Sequence, residues 1–350
     1  MKVLYFGFYN PEYPRNHVLI DGLRQNGVEI IECNEWDVSM WRYPKLVWKY
    51  LKMRPKHDAM IVGFPGQEAM FLAKFLTRKP IIFDIFTSHF MGYILDRKYF
   101  SSQSFRAKYY RFLDRWSCKL ADVVILDTQA HINFFVREFG LDHKKFKRIW
   151  LGANPDLHRP REVLKNNDLF SVLFWGNFIP LQGAEVIVKT AEILRNEPII
   201  FNLIGRGQTQ EPNKNLARDL GLTKVNFLGH LPDQALIEYI SKSDVCLGVF
   251  SSGQKADITI QNKIFESMAS KKPIITVKTT ALRELLNDGQ GVLLCEKNNP
   301  EDLAAKILML KNNPELKNKI AEEGYKLFLE KLTPKKIGQD LVKIVAEFKK

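Results

Sequence analysis

Short apolar runs recur along the chain, spaced so that one amphipathic helix fits between most neighbours. Runs at 3–7, 28–32, 60–63, 81–85 and 123–126 have the length and bounding turn residues of strands. The first ends at Gly7 and is followed by a Pro-bearing loop at 10–16 (NPEYPRN), then a helix at 17–26 stopped by Asn26-Gly27. Strand, loop, helix, strand is a βαβ unit and implies a parallel sheet. After 151–170, a stretch rich in Asn, Pro and charge, the pattern restarts. Strands are expected at 171–175, 199–204, 225–228, 245–249 and 273–277, with helices at 183–194, 215–220 and 234–242 between them and at 302–311, 314–331 and 336–348 after them. The expected fold is α/β, with two Rossmann-like doubly wound parallel-sheet domains. The expected boundaries are 1–152 for the first domain, 153–170 for a linker, 171–332 for the second domain and 333–350 for a closing helix.

The stretch 253–277 (GQKADITIQNKIFESMASKKPIITV) reads as loop, helix from about Gln261, then a buried strand. Ile264, Phe265 and Met268 share one helical side. Lys263 and Glu266 share the opposite side, where Ser267 and Ser270 leave room for something to approach. An ammonium and a carboxylate near a helix start suit a nucleotide diphosphate. The helix start and Lys263 would hold phosphate oxygens, and Glu266 would accept from ribose hydroxyls. Taken alone, the segment reads better as a solvated surface ion pair. Three strand ends add weight: Trp175-Gly176-Asn177, Gly205-Arg206-Gly207, and 227–232 with His230 and Leu231. Each alone is a tight turn, but in a doubly wound sheet all three converge on the edge that carries Lys263 and Glu266. In the first half the strand ends offer Arg15 and Asn16, Asp84 and His89, and Asp127 and Thr128; the last two read as structural caps.

Composition narrows the class. With 350 residues, 45% hydrophobic and 26% charged, the chain is an ordinary two-domain globular protein. No apolar run approaches the roughly 20 residues of a membrane span, and the N-terminal run is too short for a signal peptide. Cys33, Cys118, Cys246 and Cys295 are scattered, which argues for reduced thiols in a cytoplasmic protein and against zinc or a disulfide framework. The net charge of +13 is concentrated at +9 in residues 1–150, which points to an anionic partner for that half. Residues 41–57 hold six Lys or Arg and no acid, with Lys45, Lys49 and Lys52 on one helical side. Such a helix suits an anionic membrane surface, though its aromatics read equally well as core. The aromatics of 97–116 are expected in the core. No nucleic-acid-binding signature is present.

With these residues in view, the chain resembles the family 4 glycosyltransferases of the GT-B fold, most strongly from 171 to 296. The carrying segments are FWGNFIPLQG (174–183), LIGRG (203–207), VNFLGHLP (225–232) and NKIFESMASKKPII (262–275). The resemblance implies two domains facing across a cleft, the sugar nucleotide mainly on the second, and a last helix crossing back to the first. It also implies transfer with retention to a hydroxyl acceptor, a lipid-linked or cell-envelope glycan, with no metal and no further cofactor. The family's Glu-x7-Glu motif keeps its second member as Glu266, while the first falls on Ile258, so Gln254 or Asp257 would meet the donor sugar. The basic pair that often holds the diphosphate falls on Asn177 and Gln182, leaving Lys263 first and Arg206 second as phosphate-binding cations. Arg15, with Asn16 beside it, would approach the phosphates or acceptor, and Asp84 or His89 would orient or deprotonate the acceptor hydroxyl. Rival readings are a sugar-nucleotide epimerase and a non-catalytic nucleotide-sugar-binding protein. The enzyme is expected in the cytoplasm, peripherally on the membrane's cytoplasmic face.

Overall fold

The computed structural model describes residues 1–163 and 168–349. Part of the expected linker, 164–167, lies outside the described residues. The chain forms two compact units, Met1–Gly152 with Lys331–Lys350, and Ala153–Glu330.

The first unit runs β1 (Lys2–Gly7), α1 (Pro14–Gln25), β2 (Glu29–Asn34), α2 (Arg42–Met53), β3 (Ala59–Val62), α3 (Ala69–Leu76), β4 (Ile81–Asp84), α4 (Phe105–Leu120), β5 (Val123–Leu126), α5 (Gln129–Phe139) and β6 (Phe146–Arg148). Its sheet is parallel throughout, in the order β2-β1-β3-β4-β5-β6. Strands β3, β4 and β5 are buried along their whole length, as a sheet covered on both faces requires. Helix α1 begins at Pro14, earlier than its apolar pattern suggests, because a proline at the first helical position loses no hydrogen bond. Arg15 and Asn16 are therefore helical residues and not loop residues.

The second unit runs β7 (Phe170–Trp175), α6 (Ala184–Ile193), β8 (Ile199–Ile204), α7 (Gln210–Asp219), β9 (Val225–Gly229), α8 (Asp233–Lys242), β10 (Val245–Leu247), α9 (Gln254–Ile258), α10 (Asn262–Ala269), β11 (Ile274–Val277), β12 (Leu293–Cys295), α11 (Pro300–Asn312) and α12 (Pro314–Leu327). Its six parallel strands are ordered β12-β11-β10-β7-β8-β9. The strand order reverses between β7 and β10, and ligands of such sheets bind beyond the carboxyl ends at that point. The stretch before α10, expected as a loop, contains the helical turn α9.

The last helix, α13 (Pro334–Ala346), belongs to the first unit. Ile337, Leu341, Ile344 and Val345 join a core with Val18, Leu19 and Leu23 of α1. The helices cross at Gly22 and Gly338, where a Cβ on Gly338 would stand 2.1 Å from the Gly22 carbonyl oxygen. Among the described residues no helix is long and apolar enough to cross a membrane.

Helices α2, α3 and α4 are neighbours. Tyr50 of α2 donates to the Leu76 carbonyl of α3, and Phe71 of α3 stacks on Phe112 of α4. The aromatics of α4 depart from expectation: Tyr109, Phe112 and Trp116 are exposed. The helix turns Ala107, Leu113, Ser117 and Cys118 inward instead, because small side chains let it lie close to the sheet. The lysine stripe expected on α2 is also redistributed. Lys45 pairs with Asp37 at 3.0 Å, Lys49 donates to the Asn34 carbonyl, and Lys52 stays exposed over the Trp48 ring.

Candidate functional site

At the switch point of the second unit, β7 ends in Trp175-Gly176 and β10 leads into Gly248. Helix α10 delivers Lys263 into the space between them. Its Nζ donates to Gln182 Oε1 at 2.7 Å and to the Gly248 carbonyl at 3.4 Å, and it stands 3.7 Å from the centre of the Phe174 ring. A Cβ on Gly176, which sits at φ +137°, would come within 3.4 Å of this nitrogen. Lys263 is only 5% exposed, and no carboxylate lies within hydrogen-bonding distance of Nζ among the described residues. Burial pushes its pKa well below the ordinary 10.5, opposed through space by Glu266 and Cys246.

Glu266, one turn on, is half-buried and accepts from Trp175 Nε1 at 2.8 Å. Trp175 carries no role in the sequence reading; its signal was an indole placed directly before the glycine turn. Ser267 and Ser270 are buried, and Ser267 bonds back to the Lys263 carbonyl. Neither serine is open to solvent beside the pair.

The three strand ends come together. Gly176 N donates to Ile204 O, Phe178 N to Arg206 O, and Gly205 N to Gly229 O. A Cβ on Gly205 would stand 1.9 Å from the Gly176 oxygen, so only glycine fits where these turns touch. Asn177, Arg206 and His230 are exposed at this edge, Leu231 packs against the cluster that includes Trp175, and Gln182 is buried as the partner of Lys263. Gln254 is exposed at the start of α9, whereas Ile258 is buried. The Asp257 carboxylate is taken by Lys297 and Thr280. Burial raises its pKa, but those hydrogen bonds outweigh it and hold the group below the usual carboxylate value. A cavity of about 930 Å³ opens along the first turns of α6 and α7. None of the expected donor-binding residues lines it.

In the first unit three expectations are overturned. Arg15 is buried and bonds Asp84 through Nε and Nη2 at 3.0–3.2 Å, and the carbonyls of Ile149 and Trp150 through Nη1. Asp84 is equally buried, so this is an internal ion pair and neither group reaches a phosphate or an acceptor. Burial raises the pKa of Asp84 against the opposing pull of Arg15. Asn16 is buried too, and it ties Tyr5, Phe64 and Asn10 together.

His89 keeps its candidacy. It is half-buried between Tyr93 and Tyr110, its Nδ1 has no hydrogen-bond partner among the described residues, and burial lowers its pKa, favouring the neutral ring. Its backbone is set by Asp114, a fully buried α4 carboxylate missed by the sequence reading. Asp114 accepts from Ser88 Oγ at 2.6 Å and from the amides of His89 and Phe90 at 3.1 and 2.9 Å.

Two six-stranded parallel sheets with flanking helices define the GT-B fold class. Sucrose-phosphate synthase from Thermosynechococcus elongatus has the same fold, with a TM-score of 0.76 at 15% identity over 99% of this chain and 98% of that one. So does Anabaena HepE in complex with UDP-glucose, with a TM-score of 0.73 at 17% identity over 99% and 100%. Residues 158–327 match the family model of the glycosyl transferases group 1. An uncharacterised glycosyltransferase of Methanocaldococcus jannaschii is 29% identical over 188 residues, 53% of this chain and 51% of its own length. The D-inositol 3-phosphate glycosyltransferase of Thermomonospora curvata is 24% identical over 226 residues, 57% and 51%. The chain spans about half the length of these curated relatives.

Proposed function

We propose that the protein transfers a sugar from a nucleotide-diphosphate sugar to a hydroxyl acceptor, a lipid-linked or cell-envelope glycan, with retention and without a metal ion. The single observation that supports this most is Lys263. A buried ammonium with no carboxylate within hydrogen-bonding distance among the described residues, set at a sheet's switch point, lacks the close counter-charge that a diphosphate brings. In this reading Lys263, Arg206 and the backbone amides at the strand ends stabilise the charge growing on the leaving diphosphate. Glu266, steadied by Trp175, accepts from the ribose, the base lies over His230 and Leu231, and Gln254 meets the donor sugar. Asn177 and Gln182 border the phosphates, with Gln182 orienting the ammonium. Neutral His89 takes the acceptor's proton.

HepE was solved with UDP-glucose, so UDP-sugars are the first donors to try. The test is a panel of nucleotide sugars followed by thermal shift and by released nucleotide. A stabilising donor that is hydrolysed or transferred supports the reading. Binding without turnover under any acceptor would favour the non-catalytic alternative, as the apolar Ile258 at the first motif position does.

A further inference from the structure

We propose that the face formed by α2, α3 and α4 docks onto an anionic lipid bilayer. Of the 20 large hydrophobic side chains exposed among the described residues, 15 fall between positions 36 and 116. Scattered exposure would need no explanation, but this concentration does. Trp48 and Leu51 project from α2, and Phe71 and Phe75 from α3, Phe75 being 88% exposed. On α4, Phe105, Tyr109, Phe112 and Trp116 follow helical spacing and extend the stripe by roughly 16 Å. Phe71, Phe112 and Trp116 are in ring contact across α3 and α4, and the Tyr50–Leu76 hydrogen bond sets α2 beside α3.

Charge selects the partner. Exposed lysines and arginines stand among the aromatics on every helix, including Lys52, Lys74, Lys108 and Arg115. The three helices carry no exposed carboxylate, because Asp114, the one acid within them, is fully buried. Lys52 lies over the Trp48 ring and Lys119 over Trp116, which seats each cation beside an indole. Indoles and rings at the depth of the lipid headgroups, with ammonium groups at the phosphates, match an anionic membrane surface. Docking needs no sugar donor, so it stands or falls independently of the transfer reaction.

The test is sedimentation of the full chain with phosphatidylcholine vesicles, with and without phosphatidylglycerol. Wild type should sediment with the anionic vesicles, less so at high salt, and its tryptophan emission should shift to the blue. Substituting Trp48→Ser, Phe75→Ser and Phe112→Ser together should lower the partition coefficient by about tenfold or more, as partial burial of three such side chains implies. Lys52→Gln and Lys74→Gln should each lower it by roughly fivefold. Melting temperature guards against misfolding, and if the triple variant unfolds, the two lysine variants carry the test. Failure of wild type to bind anionic vesicles, or equal binding by the variants, overturns the proposal. So does a wild-type dimer in light scattering that Phe75→Ser dissociates, since the face would then join two copies.

Discussion

Replacing Lys263 with methionine separates the two roles a buried ammonium can have. In the folded chain Nζ reaches one side-chain oxygen, one carbonyl and an aromatic face. Losing the ammonium strands Gln182 Oε1, at roughly 1–3 kcal/mol. It also removes the cost of desolvating a charge that no neighbouring carboxylate balances at hydrogen-bond range, which is of at least that order. The variant should therefore be as stable as wild type at neutral pH, or more so. Because the folded pKa is depressed below 10.5, the unfolded chain holds more protons than the folded one between the two values. Wild-type stability must then rise with pH across that window, by at most about 1.4 kcal/mol per pH unit, and the slope should vanish in the variant. Loss of a charge-assisted bond to the diphosphate, about 1.5–3 kcal/mol, should weaken UDP binding by roughly 10- to 150-fold. Urea unfolding at several pH values measures the slopes. Calorimetry measures the affinity for UDP. Parallel slopes would refute the desolvation argument, and unchanged affinity would refute the phosphate assignment.

Other consequences are open to measurement. Gly205→Ala, which drives a Cβ into the Gly176 carbonyl at a residue with φ +137°, should cost more than about 2 kcal/mol in urea unfolding. Asp84→Asn or Arg15→Met alone should cost roughly 3–5 kcal/mol by stranding a buried charge, and the double variant clearly less than the sum; additive losses would mean the pair is not coupled. Asp114→Asn should lower turnover while leaving UDP affinity unchanged, because it loosens the turn that carries His89, and its hydrogen-bond partners Gln67, Ser88, His89 and Phe90 belong to the first unit whereas Lys263 belongs to the second. Equal loss of both would point to global damage instead.

The strands were legible because buried parallel strands are short apolar runs closed by glycine, and those runs survive in the chain as written. The edge where three glycine turns meet was legible for the same reason. Whether a polar residue faces in or out was not. Arg15 and Asp84 are 69 positions apart, and no local pattern announces that each exists to neutralise the other. Lys263 could not be told from a solvated surface lysine without Phe174 and Gln182, which the fold brings from another strand end. On α4 the hydrophobicity of the aromatics misled, although a signal was present: Ala107, Ser117 and Cys118 are the small residues a helix needs where it lies close to a sheet.

The crossing of α13 over α1 fixes an order of events during synthesis. The partner that covers Val18, Leu19 and Leu23 is encoded some 180 residues after β6, beyond the whole of the second unit. At about 5–20 residues per second, the nascent first unit waits roughly 10–40 s with that side uncovered. The second unit, contiguous in sequence, can finish first. A chain stalled before Pro334 would present a bare greasy groove, the kind of surface that chaperones and proteases recognise.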